Sequence, residues 1–139
     1  MRLTAKKIVL AVSGSIAAYK AVSLLRSLIA EGAEVSVVMT RAAARFVSPL
    51  TFEVLSRHPV ATDLFAVGQE IRHLSLPEQA DVIVVAPATA NHLAKYAAGL
   101  ANDFLSTMLL AAKCPVVMKP GRIVGRAHRS TGAHRSVIE

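Results

Sequence analysis

Aromatic residues and cysteine are scarce in this chain of 139 residues, and each scarcity excludes a class of protein. Tryptophan is absent, and two tyrosines and four phenylalanines make up the whole aromatic content. Proteins that hold single-stranded nucleic acid stack its bases on aromatic rings, so this class is disfavoured. The only cysteine, Cys114, cannot form an internal disulfide, and its place before an apolar run predicts a buried, unreactive thiol.

Long apolar runs and a signal-peptide core are also missing. No apolar stretch approaches the roughly 20 residues that cross a bilayer. The first residues, Met-Arg-Leu-Thr-Ala-Lys-Lys, lead directly into a strand pattern rather than into a cleavable signal core. No pair or triplet of His, Cys, Asp or Glu has metal-ligand spacing. We therefore expect a cytoplasmic protein with no membrane partner and no metal site.

Acidic residues are few, which leaves a net charge of +7, but this charge is not concentrated on one binding face. Residues 119–139 contain five Lys or Arg and one acidic residue and so carry +4, which leaves +3 on residues 1–118. Such a basic end is typical of a solvated, poorly ordered tail. We therefore expect no nucleic-acid partner, one folded domain over 1–118 and a divergent basic tail over 119–139.

Hydrophobic residues make up 53% of the chain, and most are Ala, Val, Leu or Ile, which is typical of helices packed on a parallel sheet. The alternation of strand and helix patterns predicts an α/β fold, a right-handed doubly wound parallel sheet with helices on both faces. The predicted strands cover 7–12, 34–39, 81–86 and 115–118, and the predicted helices cover 15–30, 46–56, 73 onward, 91–98 and 103–112.

The first strand runs into its helix through a glycine between two serines. Gly14 allows a tight turn and a close backbone approach, and Ser13 and Ser15 can donate to phosphate oxygens beside the free N–H groups of the helix. The spacing matches neither a dinucleotide site nor a P-loop, so a single terminal phosphate fits better. An ordinary helix cap would explain the same residues equally well.

A second polar turn follows the buried strand at 81–86. Pro87 is expected to end that strand, and Thr89 and Asn91 stand where the next helix needs acceptors for its free N–H groups. The carboxyl ends of parallel strands meet at one edge of the sheet, where ligands bind. We therefore expect this turn to converge with the first one and with Thr40, which follows the second strand.

Four ordered motifs carry a resemblance to a known family. They are SGSIAAYK at 13–20, FVSPLTF at 46–52, HLSL at 73–76 and APATAN at 86–91. Together they resemble the FMN-dependent cysteine decarboxylases, and among these the phosphopantothenoylcysteine decarboxylases of coenzyme A biosynthesis, over roughly residues 7–118.

The resemblance implies a flavodoxin-like fold that assembles as homotrimers or as dodecamers of four trimers, with FMN near a subunit interface. The implied reaction is decarboxylation of a small molecule, 4′-phosphopantothenoylcysteine, to 4′-phosphopantetheine. FMN oxidises the substrate thiol, the thioaldehyde loses carbon dioxide, and the reduced flavin returns the electrons. The residues implied to bind FMN are Ser13, Gly14, Ser15, Ile16, Thr40, Thr89, Ala90, Asn91 and His92.

The catalytic histidine implied by the family pattern is His73. An imidazole is suited to proton transfer near neutral pH, and the neighbouring Arg72 could attract a substrate carboxylate or phosphate. Without the resemblance, a histidine beside an arginine is more often a solvated surface residue. The same reasoning leaves Asp103 as a helix-start charge rather than an acid–base partner.

The chain departs from the family pattern after Met118. The family continues with Pro-Ala-Met-Asn and later a flap cysteine, whereas this chain reads Lys119-Pro120-Gly121 and continues with basic residues. We expect impaired decarboxylation, because an orienting amide is missing. A truncated or frame-shifted reading frame is the favoured explanation. The alternatives are a non-catalytic FMN-binding flavoprotein that acts through a protein partner, a peptide cysteine decarboxylase, and a relative of the flavin prenyltransferases.

Overall fold

The structure, a computed structural model, describes residues 2–62 and 72–120, apart from the side chains of residues 72–75. Its strands are β1 (Lys7–Val12), β2 (Glu34–Met39), β3 (Val82–Ala88) and β4 (Val116–Pro120). Its α-helices are α1 (Tyr19–Ala30), α2 (Pro49–Ser56), α3 (Arg72–Gln79), α4 (Ala90–Ala98) and α5 (Phe104–Ala111), and two 3-10 turns cover Ile16–Ala18 and Ala43–Arg45.

The four strands form one parallel sheet in the order β2-β1-β3-β4. Leu10 pairs with Val37 of β2 on one side and with Val84 of β3 on the other. The chain therefore leaves β1 first toward one edge of the sheet and later toward the opposite edge. This reversal lies between β1 and β3, and in open α/β sheets such a point holds the ligand crevice. The predicted doubly wound, flavodoxin-like architecture is confirmed.

Helices cover both faces of the sheet, and each face has its own apolar core. Alternate residues of β1 point to opposite faces, so Leu10 packs with α1 and α2, while Val9 packs with α5 on the other face. Phe52 of α2 and Leu105 of α5 are among the largest fully buried side chains on the two faces. Burial on both faces is why β1 and β3 read as continuous apolar runs.

Several element boundaries differ from the sequence prediction, and three differences have a clear physical reason. Strand β3 does not end at Pro87 but continues to Ala88, because Pro87 lies at a register shift in the pairing with β4, where no ladder N–H is required. Helix α2 begins at Pro49 rather than at residue 46, since the Ser48 hydroxyl accepts the N–H of Leu50 and caps it. The first helix opens with a 3-10 turn, so α1 itself starts at Tyr19.

Candidate functional site

Ser13 ties the carboxyl ends of β1 and β3 together. Its side chain is fully buried, its hydroxyl donates to the carbonyl of Pro87, and the same oxygen accepts the N–H of Thr89 at 3.1 Å. The two polar junctions are therefore side by side, as their placement in the sequence predicts. The Ser13 hydroxyl is used inside the protein, where it joins the two turns.

Gly14 stands where the turn after β1 touches the turn after β2. A Cβ at this position would lie 2.3 Å from the Cβ of Ala42 and 2.9 Å from its carbonyl carbon. Real side chains do not approach so closely, so no residue larger than glycine fits without a shift of one turn. The requirement for glycine here comes from the close approach of two backbones.

Thr40 closes the third side of this region. Its hydroxyl accepts the N–H of Ala43 at 3.0 Å, and its own N–H donates to the carbonyl of Val12 at 3.1 Å. Three loops from β1, β2 and β3 thus meet at one edge of the sheet.

A cleft of about 560 Å³ opens between these loops and the start of α5. Its volume is in the range of small-molecule and cofactor sites. A shallow depression of about 580 Å³ lies near Glu34 and Arg57, at the opposite, amino end of β2, away from the strand ends where such sheets bind ligands. The residues that line the cleft are Gly14, Met39, Thr40, Arg41, Ala42, Thr62, Thr89, Asn91, His92, Asn102, Asp103, Phe104 and Leu105.

The beginnings of the two helical segments at the junctions supply backbone donors. Ser15 caps the 3-10 turn by accepting the N–H of Ala17 at 3.1 Å, and Thr89 caps α4 by accepting the N–H of His92 at 3.3 Å. First-turn N–H groups have no acceptor within a helix, and the helix dipole adds to their attraction for anions. The junctions can therefore hold a phosphate.

The predicted cofactor residues fall into two sets. Those that line the cleft are Gly14, Thr40, Thr89, Asn91 and His92. Those that do not line it are Ser13, which is buried, and Ser15, Ile16 and Ala90, of which Ile16 leaves 81% of its surface exposed.

His92 is buried in a hydrogen-bonded cluster beside the cleft. Its Nδ1 lies 3.0 Å from the Thr89 hydroxyl oxygen, and its Nε2 lies 3.2 Å from Oδ2 of Asp103. The Lys95 ammonium donates to the same Asp103 oxygen at 2.9 Å. Burial lowers the pKa of His92; Asp103 opposes this effect and Lys95 adds to it.

Asp103 is ionised in this cluster. Burial alone would raise its pKa, but hydrogen bonds from the backbone and hydroxyl of Ser106 and from Lys95, with the charge of His92, outweigh burial and lower the pKa to about 2. Asp103 and Ser106 also form a reciprocal cap at the start of α5. The sequence prediction of a helix-start charge is thus confirmed, but it did not include the contact with His92.

Sequence reasoning also missed Arg41, Thr62 and Asn102, which line the cleft. Arg41 directly follows Thr40, so its position after a strand was a usable signal. Thr62 and Asn102 carry no such signal, because their place depends on how the loops around β2 and before α5 pack.

The structure describes only part of His73 and of the basic tail. The backbone of His73 belongs to the first turn of α3, whereas its side chain and residues 121–139 lie outside the described part of the chain. Within 2–62 and 72–120, no group of three or more His, Cys, Asp or Glu residues could hold a metal ion. None of the helices described there is long and apolar enough to cross a membrane.

The chain is similar in sequence to a known protein family and to characterised proteins. A family model described as Flavoprotein matches residues 1–122. The coenzyme A biosynthesis bifunctional protein CoaBC of Bacillus subtilis (strain 168) is 51% identical over 120 residues, which is 85% of this chain and 30% of that protein. The chain thus spans less than a third of the length of the curated relatives it matches.

Two solved structures extend the comparison. The FMN-dependent cysteine decarboxylase SpaF is 36% identical with a TM-score of 0.78, over 85% of this chain and 69% of that one. A cysteine-to-serine mutant of PPC decarboxylase, complexed with pantothenoylaminoethenethiol, is 29% identical with a TM-score of 0.71, over 86% of this chain and 69% of that one.

Proposed function

This chain belongs to the Flavoprotein family and to the FMN-dependent cysteine decarboxylases, and from that premise we propose that it binds FMN and decarboxylates 4′-phosphopantothenoylcysteine in coenzyme A biosynthesis. The observation that carries the proposal is the single cleft in which the loops after β1, β2 and β3 meet. The identity to CoaBC and the likeness to PPC decarboxylase support the choice of substrate.

The residues of the cleft fit FMN in size and chemistry. A volume of about 560 Å³ accommodates a mononucleotide, and the Gly14 turn, which has no Cβ, brings backbone to the edge of the cleft. The first turns after Ser15 and Thr89 offer N–H donors for the phosphate. Bound FMN would supply the redox chemistry that makes the substrate carboxylate labile.

Each site residue has a proposed part in this function. The backbone of Gly14, Ser15 and Ile16 holds the phosphate region, and Thr40 lies along the cofactor. The second junction lies against the same cofactor through Thr89, Ala90, Asn91 and His92. His73 transfers a proton to or from the substrate, an assignment that rests on the family resemblance. Ser13 contributes indirectly, because it joins the two turns.

We propose a homotrimer, or a dodecamer of four trimers, by resemblance to the family, and a cytoplasmic location from its pathway.

A second function is favoured by one specific feature. After Met118 the family pattern continues with Pro-Ala-Met-Asn, whereas this chain reads Lys119-Pro120-Gly121, so the asparagine that the resemblance implies for orienting the substrate carboxylate is missing. Loss of an orienting group costs a large factor in rate. A non-catalytic FMN-binding protein that acts through a protein partner is therefore the second candidate, and a decarboxylase of cysteine-ending peptides is a third.

One set of measurements on the purified chain separates these functions. The visible spectrum and an FMN titration report cofactor binding, and carbon dioxide released from 4′-phosphopantothenoylcysteine reports catalysis. We expect a yellow protein with slow release, and His73→Asn as a control that keeps the flavin but loses the release. Flavin without release from this substrate or from a cysteine-ending peptide would leave the binding function. A chain that takes up no FMN would overturn the proposal.

A further inference from the structure

The Thr89–His92–Asp103 cluster has a defined pattern of protons. Both ring nitrogens of His92 have partners: Nδ1 meets the Thr89 hydroxyl at 3.0 Å and Nε2 meets a carboxylate oxygen of Asp103 at 3.2 Å. An ionised carboxylate can only accept a hydrogen bond. Nε2 must therefore carry a hydrogen, and in neutral His92 the remaining nitrogen, Nδ1, can only accept.

This pattern determines which way the Thr89 hydroxyl donates. A hydroxyl has one hydrogen, and when Nδ1 is an acceptor that hydrogen points to His92. The Thr89 oxygen already accepts the N–H of His92 at 3.3 Å, so the side chain then offers no donor to the cleft. When His92 is protonated, Nδ1 becomes the donor and the hydroxyl hydrogen is released toward the cleft that Thr89 lines.

We propose that His92 and Asp103 are positioning residues that set whether the Thr89 hydroxyl donates to the phosphate of bound FMN. The inference rests on the proposed function, because FMN is the ligand it concerns. Asp103 fixes the tautomer of His92, and His92 fixes the direction of the Thr89 hydrogen bond. In this role neither residue needs to touch the phosphate.

The charges around His92 are compatible with this role. Asp103, at the start of α5, and Lys95, on α4, meet at one carboxylate oxygen, and Arg41, after β2, lines the same cleft. Asp103 stays ionised at neutral pH, because its pKa is lowered to about 2. Burial lowers the pKa of the His92 imidazole and so favours the neutral ring before a ligand binds.

The test compares FMN affinity across pH in matched variants. His92→Gln cannot titrate, and His58→Gln makes the same change at a histidine whose Nε2 lies 4.0 Å from Glu34, near the amino end of β2. The FMN phosphate itself titrates, but its contribution cancels in the ratio of affinities at each pH. As the pH falls through the lowered pKa of His92, the ratio of wild-type to His92→Gln affinity should rise by up to about tenfold, the size of one hydrogen bond to a charged group. The ratio of wild type to His58→Gln should stay flat.

Two further arms make the assignment specific. Thr89→Val should lose the pH-dependent part of the affinity, and Thr89→Ser, which keeps the hydroxyl, should restore it. Riboflavin lacks the phosphate, so its affinity ratio should not change with pH. A ratio that rises for riboflavin as well would overturn the assignment to phosphate. Wild type that binds FMN with the same pH profile as His92→Gln would overturn this inference but leave the proposed function intact. Absence of FMN binding at every pH would remove both.

A measurement without FMN tests the proton pattern directly. Long-range ¹H–¹⁵N spectra of the chain should show neutral His92 with its hydrogen on Nε2, and Asp103→Asn should shift the population toward the other tautomer. A neutral ring with its hydrogen on Nδ1 in wild type would contradict the inference, whether or not FMN binds.

Discussion

Replacement of Gly14 by alanine is expected to damage both the fold and the site. The added Cβ would stand 2.3 Å from the Cβ of Ala42. Ordinary carbon–carbon contact needs about 3.5 to 4 Å, so one of the two turns must move by more than about 1 Å. Overpacking of this kind costs about 1–3 kcal/mol of unfolding free energy. A displacement of about 1 Å at a binding loop can also cost about a hundredfold in function.

A second substitution shows whether that contact is the cause. Ala42→Gly removes the atom at 2.3 Å but leaves the backbone carbon of residue 42 at 2.9 Å. The double variant Gly14→Ala/Ala42→Gly should therefore recover part of the lost stability and FMN affinity. Ala42→Gly alone provides the control, and its helical backbone conformation predicts a cost of up to about 1 kcal/mol.

The assays are urea unfolding and a titration of FMN fluorescence on all four proteins. We expect Gly14→Ala to lower both the unfolding free energy and the FMN affinity, and the double variant to lie between it and wild type. Unchanged stability and affinity in Gly14→Ala would refute the close approach of the two turns. If the loss of unfolding free energy in the double variant equals the sum of the losses in the two single variants, Ala42 is not the residue that the added Cβ contacts.

Four other substitutions test three separate parts of the structure. Ser13→Ala leaves the N–H of Thr89 without its acceptor and should cost about 1–3 kcal/mol in urea unfolding; an unchanged midpoint would contradict the tie between the two junctions. Asp103 has its pKa lowered from 3.8 to about 2, so the stability it contributes is present above about pH 4 and is lost as the pH falls toward 2. Because the carboxylate is partly exposed, we expect it to contribute about 1 kcal/mol to the free energy of unfolding. The unfolding free energy of wild type should therefore fall more steeply in acid than that of Asp103→Asn, and parallel pH profiles would contradict this prediction. Phe52→Ala should cost about 3–5 kcal/mol because the ring is fully buried, whereas Leu50→Ala on the same helix, 63% exposed, should change the unfolding free energy by less than about 0.5 kcal/mol; similar costs would refute the orientation of α2.

The fold could be predicted from the sequence because its local patterns and its order of strands and helices indicate the same architecture. Continuous β-branched runs mark strands that helices cover on both faces, and the strand–helix alternation allows few topologies other than a doubly wound sheet. Boundaries were less accurate where tertiary contacts decide them. Pro87 reads as the end of a strand, and only the register shift beside β4 shows why β3 can continue through it.

The candidate site was accessible from the sequence wherever a strand end carried its residues. Thr40 and Thr89 directly follow strands, Gly14 follows β1 after one residue, and parallel strands bring such positions to one edge. The role of Ser13 as a tie, and the contact between His92 and Asp103, could not be read in this way. Both depend on contacts between residues of different elements, and a local sequence pattern does not predict such contacts.

The account rests on two junctions that hold one flavin, and amide NMR of the ¹⁵N-labelled chain during an FMN titration tests this most directly. We predict that the amides of Gly14 and Ser15 and those of Ala90 and Asn91 shift together, with one FMN per chain at the endpoint. Amides near Arg57 and His58, at the other end of the sheet, should stay unchanged. Shifts confined to one junction, or centred on Arg57, would contradict the account.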